Sequence, residues 1–273
     1  MQDKNEYQNH HRFTEANRKA WNAAMPYHRK ARDVYWDKCL ADPSFVFQKE
    51  PELALLQEVG ISGKAVVQFC CNNGLELMSI KRLGAKRCVG FDICDEAIMD
   101  ANKRSAKYNI GAEFFRHSVY EIPETYHDLF DLVYISIGVL CWLPNLGDLF
   151  AVVTKLLKEG GELFIYEQHP FTAILPWDVS GNQDKAYLEY SYFQEGYQEY
   201  YDSLDYYGNE SYESPIKYEF THTLADVISA ILSNGMRLTR FRGYEHDISN
   251  GFAWVQKTGL RLPLCYILIA VKD

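Results

Sequence analysis

The sequence predicts an α/β fold, in which a Rossmann-like, seven-stranded and mostly parallel sheet has an antiparallel last strand and helices on both faces. Three observations support this fold. Short apolar runs rich in valine and isoleucine alternate with stretches of helical periodicity between residues 65 and 167. The last run, residues 264–271, is nearly all apolar, as expected of a strand buried on both faces. The final two strands, around residues 237–244 and 262–271, are joined without a full helical crossover, which indicates an antiparallel pair.

Four segments follow one another along the chain. Residues 1–50 are a helical arm, which Pro26 is expected to divide into two helices because proline lacks the N–H donor that a helix interior needs. Residues 51–167 form the Rossmann-like core. Residues 168–220 are a lid insertion with short antiparallel strands, because ten of the 20 tyrosines lie between Tyr187 and Tyr218 among acidic residues. Residues 221–273 add a helix and the last two strands to the core.

The composition excludes several classes of partner. A net charge of −9 and a pI near 5.4 argue against nucleic acid, which is bound through basic side chains. No apolar run approaches the ~18 residues that a membrane span needs, and the polar N-terminus has no signal-peptide core. Seven scattered cysteines without zinc-finger spacing indicate reduced thiols and no structural metal. We therefore expect a cytoplasmic protein with no nucleic-acid, membrane or metal partner.

The stretch from Gln68 to Gly74 is the turn of a strand-turn-helix-strand unit. The apolar run 65–69 breaks into small residues, a helical pattern follows, and the next apolar run ends in a carboxylate at Asp92, 18 residues after Gly74. Such a unit can hold a nucleoside, because the turn lets a ligand approach the backbone and the distal acid accepts hydrogen bonds from both ribose hydroxyls.

A more distinctive series of motifs begins at residue 130. Phe130-Asp-Leu-Val starts an apolar strand that ends at residues 136–138, Leu-Pro leads into a helix, and Leu-Leu-Lys-Glu-Gly-Gly161 precedes a fifth strand. Together with the turn, these motifs resemble the class I methyltransferases that use S-adenosylmethionine, of the small-molecule type, over roughly residues 60–170. The first motif departs from the family pattern, with Gln68 at the acidic position and Cys70 and Asn72 in place of two glycines.

The resemblance implies S-adenosylmethionine as the cofactor and a small molecule as the methyl acceptor. Cys70 must then sit at negative φ or turn its small side chain toward the cofactor. Ser118 replaces the aspartate that usually touches adenine in the family. The residues implied at the cofactor are Tyr27, Gln68, Cys70, Asn72, Asn73, Gly74, Asp92, Ile93, Ser118, Val119, Tyr120, Ser136, Ile137 and Gly138. The residues expected at the acceptor are Trp21, Trp142, Tyr192 and Tyr201.

Catalysis of methyl transfer needs in-line positioning, and it needs a base only if the acceptor must lose its proton early. The candidate bases are His169, just after the fifth strand, and His222, at the junction of the lid and the following helix. Glu167 is expected to orient His169 or to pair with a cationic acceptor. A lid rich in tyrosine and acidic residues favours a cationic or aromatic acceptor.

Other readings of the same residues stay open. The histidines at strand and lid ends can be structural, and the lid tyrosines can cover the core or a partner subunit, so a homodimer is one option. The altered glycine positions are compatible with a catalytically silent module that binds S-adenosylmethionine and acts through protein partners. A nicotinamide oxidoreductase shares the strand-turn-helix unit with its distal acid. It is disfavoured because the chain lacks Gly-x-Gly-x-x-Gly and a suitably placed Tyr-x-x-x-Lys pair.

Overall fold

A seven-stranded sheet forms the centre of the protein. The computed structural model describes residues 10–178, 187–194, 196–208 and 210–273. The strands are β1 (Ala65–Phe69), β2 (Arg87–Asp92), β3 (Glu113–Arg116), β4 (Phe130–Ile135), β5 (Leu157–Gln168), β6 (Tyr197–Tyr200), β7 (Lys217–Phe220), β8 (Met236–Tyr244) and β9 (Cys265–Lys272). The main sheet has the order β3-β2-β1-β4-β5-β9-β8. Its first five strands are parallel, and β9 is antiparallel to both β5 and β8. The predicted fold class is confirmed.

Helices cover both faces of this sheet, because successive residues of each strand point to opposite sides. The helices are α1 (His10–Ala41), α2 (Glu52–Val59), α3 (Leu75–Arg82), α4 (Asp95–Lys107), α5 (Leu146–Leu156), α6 (Leu224–Ser233) and α7 (Ala253–Lys257). Val67 belongs to the apolar layer that includes α5 and α6. Its neighbour Val66 belongs to the opposite layer, with α2, α3 and α4. Both valines have no exposed surface, as expected of parallel strands covered on two sides.

The N-terminal arm is one continuous helix, so the predicted break at Pro26 is wrong. A proline inside a helix costs roughly 3 kcal/mol. Tertiary contacts hold α1 on both sides of it. Arg18 forms an ion pair with Asp95 at 2.7 Å, and Arg29 forms one with Asp100 at 2.8 Å. Because both acids lie on α4, the two halves of α1 stay in line, and this packing offsets the missing hydrogen bond.

The parallel strands leave a crevice at the carboxyl ends of β1 and β4. The chain moves outward in one direction from β1 to β2 and β3, and in the other direction from β4 to β5, so the strand order reverses between β1 and β4. Ligands of open α/β sheets bind at such a switch point. The separate hairpin of β6 and β7 lies against α1 and against the short turn Leu140–Trp142, which follows β4. We call this hairpin the lid hairpin.

Within the described ranges, no helix combines the length and the apolar character needed to cross a bilayer.

Candidate functional site

The turn after β1 contains three residues with left-handed backbone. Cys70 has φ 48°, Asn72 has φ 46° and Gly74 has φ 76°. Asparagine adopts this region more readily than most residues, but cysteine rarely does, so the turn is locally strained at Cys70. The option of a negative φ at Cys70 is therefore wrong. Gly74 is required for a second reason, because a Cβ there would lie 2.5 Å from the Phe114 ring.

Asp92 joins the end of β2 to this turn. Its Oδ2 accepts a hydrogen bond from the Asn72 N–H at 2.7 Å, and its Oδ1 accepts one from the Cys94 N–H at 2.8 Å. The residue is only 8% exposed, and burial raises the pKa of its carboxyl while these N–H groups lower it. Each oxygen keeps a lone pair, so the carboxylate can still accept two hydroxyls. Asn73, also predicted at the site, is buried beside Asn72, whose Oδ1 accepts from its N–H at 2.7 Å.

A polar triad lies at the ends of β1 and β4. Gln68 Nε2 donates to Glu76 Oε2 at 2.5 Å and to Ser136 Oγ at 3.2 Å, and Ser136 Oγ donates to the same Glu76 oxygen at 2.5 Å. Burial raises the pKa of Glu76, and these two hydrogen bonds lower it. Among the described residues, the buried Gln68 Oε1 has no hydrogen-bond partner. The site therefore contains an acid after all, supplied by the first turn of α3.

Three predicted residues, Ile93, Ser118 and Tyr120, line a cavity of about 430 Å³. Its other wall comes from α1, including His10 and Arg18. The His10 ring stacks on Tyr120 with 4.0 Å between the ring centroids. Ser118 Oγ accepts from the Tyr120 N–H at 3.4 Å, and Val119 is buried between them. A cavity of this size, bordered by an aromatic ring and polar groups, suits a nucleobase.

Glu167 anchors the loop that follows β4. Its carboxylate accepts from four main-chain N–H groups, those of Gly138 at 2.7 Å, Val139 at 2.8 Å, Leu140 at 3.2 Å and Gln168 at 2.8 Å. These bonds occupy the four acceptor directions of a carboxylate. The loop so fixed contains the predicted Gly138 and leaves the predicted Ile137 36% exposed. Glu167 thus positions backbone, and three of its four partners lie 27–29 residues away in sequence.

The two candidate histidines also have structural partners. His169 Nδ1 accepts from the Phe171 N–H at 3.1 Å, which places the proton of the neutral ring on Nε2. His222 Nε2 donates to the Leu143 carbonyl at 2.7 Å. Burial lowers the pKa of both rings. His169 thus caps a turn and His222 holds the lid junction against the loop after β4, and their catalytic roles stay predictions.

The predicted aromatic residues fall into two groups. Trp21 and Trp142 meet edge to face with 5.3 Å between their centroids, and Tyr206 of the lid segment lies 6.3 Å from Trp21. Tyr206 is 51% exposed, and the charges of Glu76 and Asp92 lie close enough to contribute to a raised pKa of its hydroxyl. This proximity places Tyr206 at the crevice.

The other three residues have different surroundings. Tyr27, predicted at the cofactor, stacks on Tyr212 with 4.2 Å between the centroids. The Tyr192 hydroxyl accepts from the Leu224 N–H at 3.3 Å, at the start of α6. Tyr201 is 63% exposed. These surroundings therefore do not support the predicted contact of Tyr27 with the cofactor, or of Tyr192 and Tyr201 with the acceptor.

The lid hairpin contributes a carboxylate that the sequence prediction missed. Strands β6 and β7 pair Gln198 with Glu219 and Glu199 with Tyr218. Tyr218 packs on Phe13 of α1, so alternation turns Glu219 to the other side. Burial raises the pKa of Glu219 to about 7. Alternation along such a short strand was the only sequence signal for its direction.

No metal-binding cluster accompanies these carboxylates in the described ranges. Within them, no group of three or more His, Cys, Asp or Glu side chains is arranged to hold an ion.

Comparison with known proteins gives a family match for the region that carries the crevice. A family model described as methyltransferase domain matches residues 66–161. The ribosomal protein L11 methyltransferase of Pseudoalteromonas atlantica is 31% identical over 132 residues, which cover 46% of this chain and 43% of that protein. The corresponding protein of Mannheimia succiniciproducens is 28% identical over 144 residues, with 50% of this chain and 47% of that protein covered. The chain thus spans less than half the length of these relatives.

Solved structures agree over a longer part of the chain. A crystal structure titled S-adenosylmethionine dependent methyltransferase, from Mesorhizobium loti, has a TM-score of 0.57 at 19% identity, covering 81% of this chain and 97% of that one. Geranyl diphosphate C-methyltransferase from Streptomyces coelicolor, solved with S-adenosyl-L-homocysteine, has a TM-score of 0.61 at 13% identity. That match covers 96% of this chain and 98% of the other. At such identities the likeness establishes the fold alone.

Proposed function

Because this chain carries a methyltransferase domain of the class I S-adenosylmethionine-dependent family, we propose that it transfers a methyl group from that cofactor to a small-molecule acceptor by in-line displacement. S-adenosylmethionine is the cofactor of this family, and it supplies a methyl group activated by the positive charge on its sulfur. The observation that carries the proposal is the set of acceptors at the carboxyl ends of β1, β2 and β4, where Asp92 and Glu76 retain free lone pairs.

The described residues fit the three parts of the cofactor. The Asp92 carboxylate accepts the ribose hydroxyls, and the cavity beside Tyr120 receives the adenine. The polar triad receives the amino-acid end, since the orphaned Gln68 Oε1 and the Glu76 carboxylate are acceptors suited to an ammonium group. Glu76 thereby supplies the negative charge that the family pattern places at residue 68.

The walls of the crevice favour a small acceptor of aromatic or cationic character. Trp21, Trp142 and Tyr206 present ring faces and edges, and the lid hairpin lies directly over the turn that carries Trp142. Such rings bind a planar or cationic molecule by stacking and by attraction to the ring face. The lid hairpin also excludes water, which strengthens these contacts.

A protein acceptor is the second candidate, because the curated relatives are named ribosomal protein L11 methyltransferases. The matches cover 43% and 47% of those proteins. A side chain of a folded protein needs an open approach to the sulfur, and in this chain the lid hairpin lies against the turn Leu140–Trp142 that borders the crevice. The covered crevice therefore favours the small molecule.

Calorimetry with S-adenosylhomocysteine tests the cofactor site. We expect the wild type to bind and Asp92→Asn to bind about 30-fold more weakly, because the amide loses one charged acceptor for a ribose hydroxyl, worth roughly 2 kcal/mol. Asp131→Asn is the matched control. Asp131 also accepts a main-chain N–H at an end of β1, that of Ala65 at 2.7 Å, but at the opposite edge of the sheet. Equal affinities in the two variants contradict the proposed site.

Methyl transfer from labelled cofactor separates the acceptor classes. The wild type is assayed with a panel of small phenols, aromatic acids and amines, and in parallel with ribosomal protein. Label in the small molecules supports the proposal, and label only in protein favours the second candidate. Cofactor binding with no transfer to either identifies a silent binding module.

A further inference from the structure

Glu167, Asp92, Glu76 and Glu219 differ in how their carboxylate lone pairs are used. Glu167 accepts four main-chain N–H groups, Asp92 accepts two, and Glu76 accepts from Gln68 and Ser136. The Glu219 carboxylate on β7 has no hydrogen-bond partner among the described residues. The residue is also partly accessible.

The lid hairpin fixes the direction of this free carboxylate. The Tyr218 ring packs on Phe13 of α1, with 5.1 Å between the ring centroids. Along the edge of β7 that faces away from β6, the Asn17 side chain donates to the Tyr218 carbonyl at 2.9 Å and accepts from the Tyr218 N–H at 2.7 Å. Glu219 follows Tyr218 and therefore points to the opposite face, and β7 lies against the turn Leu140–Trp142. Burial raises the pKa of the Cys141 thiol in that turn, and the charge of Glu219 raises it further. Glu219 thus lies next to the turn that carries Trp142.

We propose that Glu219 is the general base that takes the proton from the methyl acceptor. This inference rests on the proposed function. The acceptor's O–H or N–H bond breaks and its proton moves to a carboxylate oxygen of Glu219. The electron pair left on the acceptor forms the bond to the methyl carbon as the carbon–sulfur bond breaks, and the sulfur keeps that bond's electrons as a neutral thioether. Glu219 then returns its proton to solvent.

The electrostatic surroundings suit a base that works near neutral pH. The pKa of Glu219 is raised to about 7, chiefly by burial. The charge of Lys217 acts to lower it, and the charge of Asp202 acts to raise it. Lys217 is held by Asp202, with Nζ 2.7 Å from Oδ1. The remaining ionisable groups that face Glu219 are Tyr200 of β6, whose pKa burial raises to about 12, and Cys141, whose pKa lies well above its ordinary value. A base is most effective when its pKa lies close to the working pH.

The two candidate histidines differ from Glu219 in that they already form hydrogen bonds with the backbone. The Nε2 of neutral His169 carries the proton because Nδ1 accepts from Phe171, and the Nε2 of His222 donates to Leu143. His169 Nδ1 and His222 Nε2 thus already serve the backbone. Of these three side chains, Glu219 is the one that combines a place beside the turn of Trp142 with unoccupied acceptor directions.

Three variants test the assignment by transfer assay. Glu219→Gln should lower kcat by about 100-fold or more, the usual contribution of a general base, while the affinity for S-adenosylhomocysteine stays within twofold. Wild-type kcat/KM should rise with pH through about 7, and this limb should vanish in Glu219→Gln and persist in Glu219→Asp. Glu199→Gln, which removes the same charge from an exposed position of β6 on the opposite face of the lid hairpin from Glu219, should match the wild type.

A second measurement does not depend on turnover. Carbon-13 NMR of protein labelled at the glutamate carboxyl carbons, with S-adenosylhomocysteine bound, should show a resonance that titrates near pH 7 and is absent from Glu219→Gln. A resonance that titrates at the ordinary value of glutamate, or equal transfer rates in Glu219→Gln and Glu199→Gln, overturns the role of Glu219. A wild type that does not bind S-adenosylhomocysteine contradicts instead the proposed function.

Discussion

The sheet edge and the lid hairpin both bring carboxylates to the crevice, but they use them differently. At the sheet edge, Asp92 and Glu167 accept main-chain N–H groups from the turns that follow β1, β2 and β4. In the lid hairpin, the strands β6 and β7 pair with each other, and Glu219 has no hydrogen-bond partner within the described residues. The two walls of the crevice thus differ in whether their carboxylates already accept hydrogen bonds from the protein.

The difference has a simple structural cause. Parallel strands end in turns whose N–H groups leave the sheet ladder, and a buried N–H needs an acceptor. Side-chain carboxylates fill that need at the sheet edge, so acids there hold loops in place. In the lid hairpin, N–H groups pair across the two strands and Asn17 accepts that of Tyr218, so the Glu219 carboxylate is left free for a ligand. We infer that the sheet edge shapes the site and that the lid hairpin supplies its reactivity.

Of the changes that test this difference, Glu167→Ala should have the largest effect on stability. The change leaves four N–H groups of residues 138–140 and 168 without their acceptor. Since an unsatisfied buried donor costs about 1–3 kcal/mol and some of these amides will reach water, we expect a loss of about 4 kcal/mol in the free energy of unfolding. Urea denaturation measures it. Glu159→Ala, at an exposed position of the same strand, is the control, and equal midpoints for the two variants would show that Glu167 does not hold the loop.

The next effect tests the lid hairpin through its attachment to α1. Asn17 is 1% exposed and forms both hydrogen bonds to the Tyr218 backbone. Asn17→Ala should cost about 2–3 kcal/mol, because both groups of Tyr218 become unsatisfied. Hydrogen exchange should locate this loss in β6 and β7, and the acceptor KM should rise more than the Kd of S-adenosylhomocysteine. Asn17→Asp keeps the acceptor and should give an intermediate effect. Unchanged exchange in the lid hairpin would contradict this attachment.

Much of the fold followed from the sequence, since periodicity reports burial. The apolar runs at residues 65–69 and 130–135 are covered strands in the structure, as predicted. The break at Pro26 was wrong, because local propensity does not contain the ion pairs that Arg18 and Arg29 form with α4.

The site was less predictable, because hydrogen-bond partners distant in sequence decide what a polar residue does. Glu167 and His169 stood at a strand end, where a catalytic and a structural role look the same in sequence. Glu76 was missed because its triad requires Ser136, which lies 60 residues away. Glu219 looked like one of many acids in a tyrosine-rich segment until the pairing with β6 fixed its direction.

The smallest effect, taken over one pH unit, concerns a carboxylate in the core that has neither role. Glu52 is 6% exposed and accepts a hydrogen bond from the Tyr134 hydroxyl. Its pKa is raised to about 8, first by burial and second by the charge of Glu76, while the Tyr134 hydrogen bond acts in the opposite direction. An unfolded glutamate ionises near pH 4.3. Between these values the unfolded chain releases the proton and the folded protein keeps it, so stability falls as pH rises, by about 1.4 kcal/mol per unit from this group alone.

Glu52→Gln should remove this decline, because an amide stays neutral and can still accept from Tyr134. Urea denaturation at pH 5, 6.5 and 8 measures the free energy of unfolding. That of the variant should increase relative to that of the wild type as the pH rises. Glu58→Gln, at an exposed position of the same helix, should follow the wild type. A gain that grows as the pH falls has the opposite sign and would exclude a raised pKa at Glu52. With the expected sign, burial alone explains a high carboxyl pKa in the core, and what distinguishes Glu219 is its opening to the crevice.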